Sequence, residues 1–333
     1  MSTKRALLVL SLVGAAQADT GCVGLMYHHV ADNTPASTTI SVDLFAQHLD
    51  YLAENQHTVI DLKTLESHLR NRTEFPEKCV FITFDDGYAD VYENALPLLK
   101  QHAYPSTIFL PTQNIGEHSI QYMSHSQIQL AEDDMNVTFA GHSHTHISFI
   151  KLNREGIVDE LKHSTQKLST LADQPHSAVA YPYGEYSQTA MDVFKQDKRL
   201  GFGQHSGVVS FDSPYEALPR FPMSNVYGRM KNFALKVNTL AFPIEQYSPQ
   251  DPRILAVNPP SLEITFREHS DFNSSQLNCF VAGQNPPKMT WNHHTVKITA
   301  QEKLPEGRTK YNCTAPSKTQ RGRYYWFSQQ FIH

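Results

Sequence analysis

Lys and Arg number 28 against 33 Asp and Glu in the 333 residues. The chain therefore lacks the excess of positive charge that a phosphate backbone or an anionic lipid surface demands, and nucleic acid is excluded as a partner. After Ala18 no apolar run reaches the about 20 residues that a membrane span needs, so no transmembrane segment is expected. Charged residues are scarce at 18% while 40% are hydrophobic, which rules out a disordered or fibrous chain. There are only 4 cysteines and no Cys-x-x-Cys spacing, which removes a zinc knot. There is no internal repeat, so a solenoid array is excluded as well.

What is present suits a globular protein of two domains, at about 100 to 200 residues each. Lys4 and Arg5, the mostly apolar stretch Ala6 to Ala15, and the small-x-small site Ala16-Gln17-Ala18 read as a signal peptide over residues 1–18, cleaved on export to the periplasm or the medium. An oxidising compartment follows, in which the cysteines can pair; sequence separation favours Cys22 with Cys79 and Cys279 with Cys313. The 18 His raise the prior for metal or proton-transfer chemistry.

Over residues 19–241 short apolar runs alternate with amphipathic helices, the pattern of βα units and a parallel sheet. Strands are expected at Val23 to Tyr27, Val80 to Phe84, Ser106 to Leu110, Val137 to Ala140 and Val179 to Tyr181. Ser41 and Asn153 are the expected N-caps of helices whose apolar faces are core. Residues 242–260, with Pro243, Pro249, Pro252, Pro259 and Pro260, read as a semi-rigid linker. Residues 261–333 lose helical periodicity and show short alternating or aromatic runs, which predicts a small all-β sandwich stapled by Cys279 and Cys313 and serving as an accessory, carbohydrate-binding unit. Trp291 between those cysteines resembles the pattern of immunoglobulin-like sandwiches. Trp291 and Trp326 are either sugar-stacking platforms or sandwich core.

Three stretches carry chemistry. The apolar run Val80 to Phe84 ends abruptly in Asp85 and Asp86, two carboxylates that point different ways and can hold separate roles; a helix cap with a first-turn acid is the plainer alternative. Gly141-His142-Ser143-His144-Thr145-His146 sets three imidazoles within five residues directly after another strand. Two His and one carboxylate leave open positions on Zn²⁺, as a catalytic site requires, whereas a solvated His-rich loop is the alternative. Finally, Ala180-Tyr181-Pro182-Tyr183-Gly184 ends a strand in a constrained turn whose N–H groups after Pro182 could face a developing oxyanion, or simply make an ordinary turn.

In this order and spacing the residues resemble the NodB-homology polysaccharide deacetylases, the fourth carbohydrate esterase family, over about residues 20 to 225. The resemblance implies a distorted β/α barrel, hence an α/β fold followed by the all-β unit. Thr83 to Gly87 reproduces the family's Thr-Phe-Asp-Asp-Gly motif, making Asp85 the general base and Asp86 a ligand of a divalent metal, Zn by preference. His142 and His146 match the His-Ser/Thr-x-x-His motif and are the implied remaining ligands, with His144 at a variable position. The backbone N–H near Tyr183 would supply an oxyanion contact in the mechanism the resemblance implies. The family's Arg before its third motif is replaced by Tyr181, as in the branch acting on poly-β-1,6-N-acetylglucosamine, so Arg220 is the candidate replacement cation, a surface salt bridge being its other role. The late Leu-x-His motif is absent, leaving His205 as general acid by elimination. His28 and His29, in a string that also resembles that branch, and Tyr181 are candidate substrate-binding residues, and His28 or His29 is the competing acid.

The implied reaction is metal-assisted hydrolysis of N-acetyl groups on a glycan containing N-acetylglucosamine. The competing reading is a non-catalytic carbohydrate-binding protein on the same fold. The intact Asp85 favours the enzyme, because a binding protein has no use for a base beside its metal ligands. Glycan linkage and oligomeric state are not legible in the sequence.

Overall fold

The computed structural model describes residues 21–116, 120–254, 256–268 and 270–333; the expected signal peptide lies outside them. A nine-stranded, mostly parallel sheet organises the first two thirds of the chain. Its main path runs Val208–Val209, Cys22–Tyr27, Cys79–Asp85, Ser106–Leu110, Val137–Gly141, His176–Ala180, Gly201–Phe202. The central strands are buried on both faces, as parallel strands between helices must be, which is why they read as unbroken apolar runs. Leu218 bridges in parallel to Phe202, and Phe221 pairs in parallel with Leu25. The segment Leu218–Pro222 therefore forms a seam that brings the last strand of the barrel round to the first.

The helices pack outside this sheet. Ser41 Oγ accepts from the Leu44 N–H and caps Val42–Glu54; Asn153 caps Arg154–Leu171 by accepting from the Gly156 N–H. The fifth expected strand ends at Ala180 and not Tyr181, because Tyr181 precedes Pro182 and opens a 3₁₀ turn over Pro182–Gly184.

The C-terminal unit has two antiparallel sheets. One orders Ile244–Ser248, Ser261–Phe266, Thr295–Thr299, Lys288–Asn292; the other Asn278–Val281, Arg308–Pro316, Tyr324–Ile332. Ile244–Ser248 falls inside the segment expected as linker, yet it pairs along Ser261–Phe266 as an edge strand. Pro243 and Pro249 flank it, which is where an edge strand tolerates proline. The two disulfides join Cys22 to Cys79 and Cys279 to Cys313. Cys22–Cys79 ties neighbouring barrel strands at the end opposite Asp85. Cys279 lies directly opposite Cys313 on adjacent strands of one sheet, so the staple does not cross between sheets as in an immunoglobulin domain. Trp291 is half-buried against Phe266, and Trp326 packs edge-on against Phe221 of the barrel seam.

Candidate active site

Asp85 is the last residue of its strand, and Asp86 enters the left-handed region at φ 78° as the chain turns out of the barrel. The next residue, Gly87, has φ 66°, and a Cβ there would come within 2.4 Å of a Leu110 methyl, so glycine alone fits. This turn aims the two carboxylates differently. Asp85 is fully buried and both its oxygens are gripped by Arg220, at 2.7 Å from Nη1 and 2.8 Å from Nη2. Arg220 sits in the barrel seam at 0% exposure. Its Nη1 also donates to Thr83 Oγ1 at 3.0 Å and its Nε to the Gly203 carbonyl at 3.1 Å, while the guanidinium lies over the Phe109 and Phe202 rings. Burial alone would raise the Asp85 pKa; the guanidinium outweighs it and holds the carboxyl below its ordinary range. The bidentate fork also fixes the carboxylate plane.

Asp86 faces two imidazoles. Its Oδ1 is 3.3 Å from His142 Nε2 and 3.2 Å from His146 Nε2, and the three potential ligand atoms lie within 4.8 Å of one another. His142 donates its Nδ1–H to the Ala180 carbonyl at 2.8 Å, which leaves the Nε2 lone pair turned toward Asp86. Two imidazole nitrogens and one carboxylate oxygen converging in this way fit a divalent ion with open positions. Glu160 holds the histidine loop from outside: its carboxylate accepts the N–H groups of His144 and Thr145. Ser143 Oγ accepts the N–H of His146. Nothing in the local sequence marks Glu160, which comes from the helix following the loop.

His28 is the other imidazole at this cluster. Burial lowers its pKa, and the charges of Asp85, Asp86, Arg220 and His142 all act on it. His29 points elsewhere: its Nδ1 pairs with Asp90 at 2.6 Å and its ring stacks on Tyr88. Tyr183 stands at φ 59° with 51% exposure and its ring centroid 4.8 Å from that of His146, at the rim of the site. The turn bonds of Gly184 and Glu185 go to Tyr181 and Pro182 carbonyls, and no partner for the Tyr183 N–H occurs among the described residues. Tyr181, expected to touch substrate, is instead fully buried against Phe194 and Tyr186, with its hydroxyl donating to the Glu216 carbonyl.

His205 is not brought to the cluster either. Its ring lies against Gly203, facing Lys310 and Arg308 of the C-terminal unit, and lines a cavity with Trp326 and Ser328. Burial first, then Lys310, Arg220 and Arg308 in turn, push its pKa down to about 3, so the ring is neutral at neutral pH.

Residues 72–202 match the polysaccharide deacetylase family. The match covers the barrel strands from Cys79 to Phe202. The chain is 25% identical over 228 residues to the poly-β-1,6-N-acetyl-D-glucosamine N-deacetylase of Staphylococcus epidermidis, covering 61% of this chain and 79% of that one. Its fold is shared with the Streptococcus pyogenes deacetylase PplD solved with acetate (TM-score 0.60, 23% identity, 66% of this chain and 99% of that one). It is shared equally with IcaB from Ammonifex degensii (TM-score 0.59, 24% identity, 66% and 97%). The chain thus joins a NodB-type barrel to an all-β unit.

Proposed function

We propose that this chain is an exported, metal-dependent N-deacetylase of N-acetylglucosamine-containing glycans, of the kind built on poly-β-1,6-N-acetylglucosamine. The observation that carries this reading is the pairing of roles at adjacent residues: Asp86 belongs to a metal-type donor set, while Asp85 is clasped by a buried arginine. Asp86, His142 and His146 would hold the ion, Zn²⁺ by its preference for nitrogen and carboxylate donors. Such an ion supplies Lewis-acid polarisation of the acetyl carbonyl. Asp85, kept ionised by Arg220, takes a proton from the attacking water, whose oxygen bonds to the acetyl carbon. The Tyr183 N–H donates to the oxygen on which charge develops. As the carbon–nitrogen bond breaks, His28 protonates the departing sugar amine, and acetate leaves. His28 is the imidazole that faces Asp85 and Asp86, whose carboxylates oppose the lowering of its pKa by burial.

The two disulfides support export. Acetate release from β-1,6- and β-1,4-linked N-acetylglucosamine oligomers, with chelation and Zn²⁺ add-back, tests the reading. Release that needs the metal and favours the β-1,6 series is expected; glycan binding with no acetate from any substrate would make it a carbohydrate-binding protein instead. His28→Ala should lose about 10²-fold in kcat, the usual general-acid contribution, while His205→Ala loses little. The reverse ranking would return the acid role to His205.

A further inference from the structure

The final two strands alternate strictly. Tyr311, Cys313 and Ala315 on one, and Tyr325 and Phe331 on the other, point into the core of the C-terminal unit. The opposite face of this sheet carries Arg308 and Lys310 on the first strand and Trp326, Ser328 and Gln330 on the second, and it is pressed onto the barrel. Residues 328–332 are buried at every position, as a strand covered on both sides must be. Trp326 meets the seam at Phe221, and Leu240 exchanges backbone hydrogen bonds with this last strand.

What that face touches is the catalytic apparatus. Gln330, at 0% exposure, donates from Nε2 to the Gly184 carbonyl at 2.6 Å, and Gly184 follows Tyr183 directly. Lys310 donates from Nζ to the Gln204 carbonyl, and Arg308 from Nη1 to Gln204 Oε1 at 3.1 Å. Gln204 follows Gly203, whose carbonyl receives the Nε of Arg220. The two turns also abut: a Cβ on Gly184 would lie 2.6 Å from the Gln204 backbone nitrogen. Gln330 Oε1 is buried with no partner among the described residues, a burial that stability alone does not favour.

We propose that the C-terminal β unit is the rear wall of the catalytic site, with Gln330 and Lys310 as positioning residues for the Tyr183 turn and for the Gly203 carbonyl that orients Arg220. The proposal rests on the deacetylase reading. It makes the unit part of the enzyme and not a detachable glycan-binding module.

The test uses the full chain with Gln330→Met, which keeps length and removes the donor, and Lys310→Met beside it. Turnover on the glycan that wild type cleaves is measured with melting temperature, and hydrogen exchange of peptides spanning 181–187 and 203–206 is followed in metal-free protein. The expected result is a melting temperature held within a few degrees, a fall in kcat of about 10-fold or more with KM little changed, and exchange in 181–187 at least several-fold faster for Gln330→Met. Wild-type kcat and exchange in both variants would overturn the proposal. If wild type cleaves no glycan, the deacetylase reading fails and exchange alone decides the bracing: unchanged protection in 181–187 refutes it. Should Gln330→Met not fold, Lys310→Met is judged on the same kcat and on exchange in 203–206.

Discussion

Asp85 and Arg220 form an ion pair with both partners at 0% exposure, so neither can be removed without consequence for the other. Asp85→Asn keeps the volume and leaves the Asp86–His142–His146 set untouched. It should retain metal and fold while losing 10² to 10⁴-fold in turnover, the range for a general base. Arg220→Ala strands a buried carboxylate and should destabilise by about 3 to 5 kcal/mol. Combining it with Asp85→Asn should recover part of that loss, because the uncompensated charge is gone. Chemical denaturation of the three variants checks this; additive losses in the double variant would mean the pair is not coupled. Backbone strain is held at the same place. Asp86, Ser143, His146 and Tyr183 all hold positive φ, between 59° and 78°, each in a loop of the site. Such conformations cost about 1 to 3 kcal/mol each and persist where surrounding contacts dictate them, here the Ser143–His146 hydrogen bond and the Glu160 bracket.

At the level of elements, the turn after the His176–Ala180 strand is the most constrained. Gly184 combines φ 69° with Gln204 atoms at 2.5 and 2.6 Å from a would-be Cβ. Gly184→Ala should lower stability by more than about 1 kcal/mol and depress turnover more steeply than the stability loss explains. A melting curve and a kcat measured well below the transition separate the two effects; wild-type values for both would show that the turn relaxes freely. The five long parallel strands of the barrel, the two expected helix caps and both disulfides could be read from sequence, because each depends on local pattern or on close spacing, whereas the two-residue strands that complete the sheet could not. The metal-type set was legible for the same reason: Asp86, His142 and His146 sit in compact motifs. Arg220 could be nominated only by asking what replaces a missing cation, since its grip on Asp85 spans 135 residues. His205 misled because elimination within a motif frame says nothing of direction, and its loop turns beneath the C-terminal unit. Glu160, Lys310 and Gln330 left no sequence signal, being defined only by the backbone groups they meet. Ile244–Ser248 was hidden by the prolines at its ends.

Taken as a whole molecule, the protein carries buried neutral histidines that set its acid limit. His48 accepts from the Tyr27 hydroxyl and meets the Gly228 carbonyl, and burial lowers its pKa to about 4; His205 is lowered to about 3. In the unfolded chain both titrate near 6.5. The unfolded state therefore binds more protons as pH drops below 6.5, and the stability these rings contribute is present above that pH and lost as pH falls toward 4 and 3. His57, also buried and lowered to about 4, acts in the same way, and three such groups give a slope of up to about 4 kcal/mol per pH unit between roughly 6 and 4. Denaturation midpoints across that range should fall accordingly, and His205→Gln should remove about a third of the slope; an unchanged slope would count against a neutral buried His205. The seam at Leu218–Pro222 has a consequence for how the chain reaches this state. Arg220 lies between the residue that bridges to Phe202 and the one that pairs with Leu25, so zipping the barrel shut and delivering the counter-charge to Asp85 are one event. An open, half-assembled barrel would have to keep a bare carboxylate wet and could not dry its interior. Catalytic competence and cooperative closure therefore arrive together, and a partly zipped chain is neither compact nor active.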